Sequence, residues 1–140
     1  MNGNYFLDTN VLVYSFDEVH KSKRQKANAL IQDALRTQKG MISYQIIQEF
    51  LSTTTKKFSV HFKQEDLKDY VQAVLWPLCA VYPSQELFQS ALSCHYQHRI
   101  SFYDALVVSA AFAGGCKILY SEDLQHGQVI SGVKIQNPFL

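Results

Sequence analysis

Proline and glycine are scarce in this chain, with three and six copies among 140 residues. So few breakers, set against 47% apolar content, exclude a disordered or low-complexity protein and fit one domain with a true core. Cysteine is also sparse: Cys79, Cys94 and Cys116 are odd in number, widely spaced and beside apolar residues. No Cys-x-x-Cys pair exists, so buried reduced thiols are expected rather than a disulfide framework or a thiolate metal site. Neither sign of charge dominates, and the formal net charge of +1 selects no class of partner. The apolar stretch from Ala105 to Gly115 is only about half a membrane span. Met-Asn-Gly-Asn leads straight into an apolar strand, without a basic segment or signal-like core. A cytoplasmic protein with no membrane association is the expectation. The usual catalytic signatures are missing too: no Gly-x-Ser-x-Gly elbow, no glycine-rich phosphate loop and no histidine pair four residues apart. His95 and His98 lack a third ligand and read as a surface or half-buried pair.

The chain instead alternates short apolar strands with longer amphipathic helices. Tyr5 to Leu7, Met41-Ile42, Cys79 to Tyr82 and Lys117 to Tyr120 read as strands, with Val133 to Ile135 as a last edge strand. Helices are predicted over Asn10 to Phe16, Ser22 to Gln38 and Tyr44 to Lys57, and from Gln64 to Leu75, where Pro77 would stop the helix. Another would carry Leu87, Phe88, Ala91 and Leu92 on one face. Ser101 to Ala113, apolar nearly all round, would be the central helix. Lys21, Lys23, Arg24 and Lys26 read as a solvated helix face. The stripes at Leu30, Ile31 and Leu35 and at Tyr70, Val71 and Val74 serve either core packing or a partner surface. This alternation predicts an α/β fold with a parallel sheet. Such sheets gather ligands at the carboxyl ends of their strands.

Four acids stand at such places: Asp8 after the first strand, Glu49 within the third helix, Asp104 at the start of the central helix and Asp123 after the fourth strand. Each has an ordinary explanation. Asp8 and Asp104 suit helix N-termini, Glu49 suits a helix surface and Asp123 suits a turn. Capping does not explain Thr9 and Asn10 beside Asp8, whose side chains could orient the carboxylate or a metal-bound water. Four carboxylates drawn together need a positive centre, and magnesium or manganese is the natural choice for oxygen ligands. Such a site would suit phosphoryl transfer by a metal-activated water. Spacing leaves open whether Glu122 or Asp123 faces the metal.

Leu7-Asp8-Thr9-Asn10-Val11-Leu12, the helical Glu49, Ser101-Phe102-Tyr103-Asp104-Ala105-Leu106 and Ser121-Glu122-Asp123-Leu124 together resemble the PIN domain family, over essentially the whole chain. The length is similar to that of stand-alone VapC-type toxins. The resemblance implies a single PIN-like nuclease domain over residues 1–140, a short parallel sheet flanked by helices on both faces. It implies Asp8, Glu49, Asp104 and Asp123 as catalytic metal-site acids, with Thr9, Asn10 and Ser121 as polar supports. The family motif of Ser or Thr, any residue, then Asp favours Asp123, with Glu122 beside it. By the same resemblance the reaction is RNA hydrolysis leaving a 5′-phosphate and a 3′-hydroxyl, dependent on Mg2+ or Mn2+. A small antitoxin partner and a homodimer are implied as well. The alternatives are a non-catalytic RNA- or protein-binding module, an RNA-processing nuclease outside any toxin–antitoxin pair, and a nuclease acting on DNA.

Overall fold

The first strand lies in the middle of the sheet, and that placement organises the rest. The computed structural model describes residues 3–57 and 62–140. β1 (Asn4–Leu7) is followed by α1 (Thr9–Tyr14), α2 (Lys21–Thr37), β2 (Gly40–Ser43) and α3 (Tyr44–Lys57). After α4 (Gln64–Tyr70), a π-helical stretch (Val71–Leu75) and the short α5 (Trp76–Leu78) come β3 (Cys79–Val81), α6 (Gln85–His98) and α7 (Phe102–Ala113). The chain closes with β4 (Cys116–Tyr120), β5 (Val129–Ile130) and β6 (Val133–Gln136).

The six strands run in the order β3-β2-β1-β4-β6-β5. β1 pairs in parallel with β2 and β4, β2 with β3 and β4 with β6, while β5 is antiparallel to β6. Crossovers between parallel strands are right-handed. Strands laid down leftward from β1 to β3 therefore place α1 to α5 on one face. The rightward return to β4 places α6 and α7 on the other. Central strands covered on both faces should be apolar throughout. Phe6, Leu7, Ile42 and Leu119 are indeed fully buried, each contributing roughly 1.5–3 kcal/mol of burial. Gly40 is required where α2 crosses β2, because a Cβ there would sit 2.3 Å from the Ala34 Cβ and 2.6 Å from the Tyr5 ring.

Four expectations change. Pro77 does not stop the helix: the Trp76 N–H bonds the Val71 carbonyl in the wider π pattern, and the helical path continues to Leu78. Proline removes one N–H, and the wider turn re-routes the bonds around the gap. The Val133 strand is not the edge, since the two-residue β5 covers it. On α6 the buried stripe is Ala91 and Cys94 with Leu87 partly covered, while Phe88 and Leu92 face outward. Small residues let α6 lie close on α7. Lys23 is half-buried and ion-paired, unlike its exposed neighbours Lys21, Arg24 and Lys26. The two apolar stripes on α2 and around Tyr70 pack against the core. All three cysteines are buried and free. Among the described residues no helix is long and apolar enough to cross a membrane.

Candidate active site

The connections from β1 run to one side of the sheet and those from β4 to the other, so the crevice between these neighbouring strands is the topological switch point. Both strands end there in register. Leu7 lies opposite Tyr120, and the Asp8 N–H donates to the Tyr120 carbonyl at 3.0 Å. The next residues, Asp8 and Ser121, are thereby forced together.

Asp8 caps α1, with Oδ1 accepting from the Thr9 N–H at 2.7 Å, and Oδ2 accepts from the Ser121 hydroxyl at 2.7 Å. It is only 5% exposed. Burial raises its pKa from 3.8 to about 6; the Ser121 and Thr9 hydrogen bonds oppose the rise, and the charges of Asp123 and Glu49 add to it. Three of the four acids expected from the sequence therefore share one electrostatic environment.

Small polar side chains orient them. The Thr9 hydroxyl donates to Glu49 Oε1 at 2.6 Å, and Gln45 donates to Glu49 Oε2 at 3.0 Å. Asn10 donates to Asp123 Oδ2 at 3.2 Å and accepts the Glu122 N–H at 3.3 Å. The Ser121 hydroxyl also accepts the Asp123 N–H at 3.2 Å, closing a small turn around Asp8. Glu122 has other partners: Lys23 Nζ at 2.6 Å and the Tyr14 hydroxyl at 2.6 Å. Burial works to raise its pKa, but the Lys23 and Tyr14 hydrogen bonds outweigh it and hold the carboxyl low. The two adjacent acids are thus separated, Glu122 tying β4 to α1 and α2, and Asp123 exposed beside Asn10.

Asp104 stands outside this hydrogen-bonded set. Ser101 caps its backbone N–H at 3.1 Å, and the carboxylate makes no hydrogen bond or ion pair among the described residues. Gln45 links the two regions, since the side chain that holds Glu49 also reaches the Tyr103 carbonyl at 3.4 Å. Among the described residues, no group of three His, Cys, Asp or Glu side chains is arranged as a ready metal site. Of the four acids, Glu49 and Asp123 line a cleft of about 810 Å³, together with Thr9, Asn10, Asp17, His20 and, along α3, Gln48, Ser52 and Thr53; Asp8 and Asp104 are not in its lining. Sequence reasoning missed Gln45, Tyr14 and Lys23. The spacing of Gln45 four residues before Glu49 was a usable signal, whereas nothing local links Lys23 to a residue 99 positions away.

A sequence model of the PIN domain matches residues 5–129. No curated protein matches the sequence. Among solved structures, a toxin–antitoxin complex from Klebsiella pneumoniae is similar with a TM-score of 0.67 at 18% identity, covering 96% of this chain and 98% of that one. The sarcin-ricin loop cleaving toxin VapC20 of Mycobacterium tuberculosis gives 0.57 at 16% identity, over 86% and 90%. VapBC2 from Rickettsia felis, bound to a DNA fragment from its promoter, gives 0.56 at 17% identity, over 95% and 97%. These likenesses concern the fold, whereas the sequence match runs from β1 into β5 and spans every acid described above. The chain belongs to the PIN domain family.

Proposed function

We propose that this protein is a divalent-metal-dependent endoribonuclease and the toxin component of a toxin–antitoxin pair. Asp8 carries the reading. It is a buried carboxylate at the switch point, opposed by the charges of Asp123 and Glu49, and no ion pair reaches any of the three among the described residues. Uncompensated buried charge costs several kcal/mol in round terms, and a divalent cation removes that cost. PIN domains are generally divalent-metal dependent. The donor set fits magnesium or manganese: all oxygen, with few protein ligands, as such ions keep several waters.

Asp8 and Asp123 would hold the ion with Glu49, and Asp104 would complete the acidic mouth from the start of α7. When bound, the ion would polarise a phosphodiester and lower the pKa of an attacking water. The chain's own groups prepare that chemistry. Ser121 and the Thr9 N–H fix both oxygens of Asp8. Thr9 and Gln45 aim Glu49, and Asn10 aims Asp123. Lys23 neutralises Glu122, so the neighbouring acid does not add to the repulsion. The cleft along α3, lined with hydroxyl and amide groups, suits a sugar–phosphate strand. Likeness to toxin–antitoxin structures supports a small antitoxin partner for this chain, and a homodimer is proposed beside it.

The test is RNA cleavage by the purified protein in magnesium or manganese. Cleavage should stop in excess chelator and fall at least about 100-fold in Asp8→Asn and Asp123→Asn. Activity that persists in chelator refutes the metal mechanism. A second reading, a non-catalytic RNA-binding module, draws support from the separate position of Asp104. RNA binding without cleavage under any metal would favour it.

A further inference from the structure

Beside the cleft, on the same edge of the sheet, lies a second and smaller hollow. Tyr44 follows β2 and Tyr82 follows β3, so the edge carries Tyr82, Tyr44, Asp8 and Ser121 in strand order. Neighbouring strands lie about 4.8 Å apart, which sets the two tyrosine exits roughly 5 and 10 Å from that of Asp8. The Tyr44 and Tyr82 rings are 6.4 Å apart, and Trp76 meets Tyr82 nearly edge-on at 6.0 Å. All three stay open to solvent, 40%, 54% and 47% exposed for Tyr44, Trp76 and Tyr82. The hollow beside the two tyrosines measures about 100 Å³ and has apolar walls that include Val81 and Leu106. Ser43 is part of its lining; this residue is 2% exposed, and its hydroxyl has no hydrogen-bond partner. Gln48 belongs to the walls of both the hollow and the acidic cleft, so the two are neighbours.

Mostly apolar walls, aromatic rings at the rim and one unsatisfied hydroxyl are the complement of an unpaired nucleobase, which offers a π face and a hydrogen-bonding edge. No charged side chain lines the hollow, which argues against a phosphate or a cation as its occupant. We propose that this hollow is a base subsite of the nuclease: a nucleotide near the scissile phosphate leaves its stack, lays its base on Tyr44 and Tyr82, and presents its edge to Ser43. The proposal rests on the ribonuclease reading and makes the substrate single-stranded at that position.

Trp76 is the sole tryptophan of the chain, so its fluorescence reports directly on the rim. The experiment titrates a short single-stranded oligoribonucleotide, and a duplex of the same sequence, into the protein in chelator, then repeats this with Tyr82→Ala, Tyr82→Phe and Ser43→Ala. The single strand should quench Trp76 and the duplex should not. Tyr82→Ala should weaken binding roughly tenfold and Tyr82→Phe should restore it, because stacking needs only the ring. Ser43→Ala should bind with a flattened preference among the four bases. Unchanged affinity in Tyr82→Ala overturns the subsite. If Tyr82→Ala instead turns a dimer into a monomer while RNA affinity holds, the hollow is a contact between copies and the proposal fails. Because binding is read without metal, loss of the ribonuclease reading would leave these arms intact, while cleavage that ignores Tyr82 would defeat the subsite alone.

Discussion

Replacing Asp8 with asparagine should stabilise the metal-free protein, and only above a definite pH. The carboxylate holds its proton to about pH 6, against 3.8 for an unperturbed group. About two pKa units at 1.36 kcal/mol each give a destabilisation of about 3 kcal/mol when Asp8 is ionised. The sign follows from proton binding. Between about pH 4 and 6 the folded state holds more protons at this site than the unfolded one, so stability falls as pH rises through that window and levels above it. Asparagine lacks the titration yet keeps the local bonds: its oxygen accepts the Thr9 N–H, and its amide can donate to Ser121 Oγ once that hydroxyl turns. Urea unfolding in chelator, comparing wild type with Asp8→Asn, isolates the effect from every other titrating group. The variant should be more stable by up to about 3 kcal/mol near pH 8, with the gap shrinking to about 1 kcal/mol near pH 4.5. Magnesium should then stabilise the wild type and not the variant. A variant less stable than wild type near pH 8, or a gap that ignores pH, would refute the buried repulsive carboxylate.

Ser121→Ala removes the donor to Asp8 and the acceptor for the Asp123 N–H, so thermal melts near pH 8 should show a loss of about 1–2 kcal/mol. Gly40→Ala forces a methyl into Ala34 and Tyr5 and should cost at least about 2 kcal/mol in denaturant unfolding, with nearby Lys39→Ala almost silent as the control. Magnesium affinity, titrated into the metal-free protein, should weaken as pH falls below about 6, because Asp8 must shed its proton to hold a cation; an affinity that stays flat down to about pH 5 would assign metal binding to other acids.

Much of this architecture was legible because it depends on local periodicity. Tyr5 to Leu7 and Ile118 to Tyr120 could only be strands covered on both faces, and an acid after each pointed to the sheet edge. The helix of Ser101 to Ala113 announced its burial by lacking a polar side. The errors share a cause, which is that a partner decided the outcome. Nothing near Phe88 says that the narrow Ala91–Cys94 stripe is the one α7 will cover. The bypass at Pro77 depends on which carbonyls can be re-bonded, not on proline alone. Glu122 is drawn to Lys23 and Tyr14, far upstream, and Asp123 to Asn10 on the other side, partners that no local pattern names.

The central position of β1 has a consequence for how the protein is born. Asp8 and Ser121 are 113 residues apart, and β1 stays unpaired on one side until β4 arrives. During synthesis the first strand therefore waits, with half its backbone bonds unmade, until the residues of β4 have followed it. Thr9 and Gln45 can hold Glu49 early, but Asp8 meets Ser121, Asn10 meets Asp123 and Lys23 meets Glu122 only once β4 is in place. Closure of the site is therefore a late step in folding, set by the arrival of β4 beside β1.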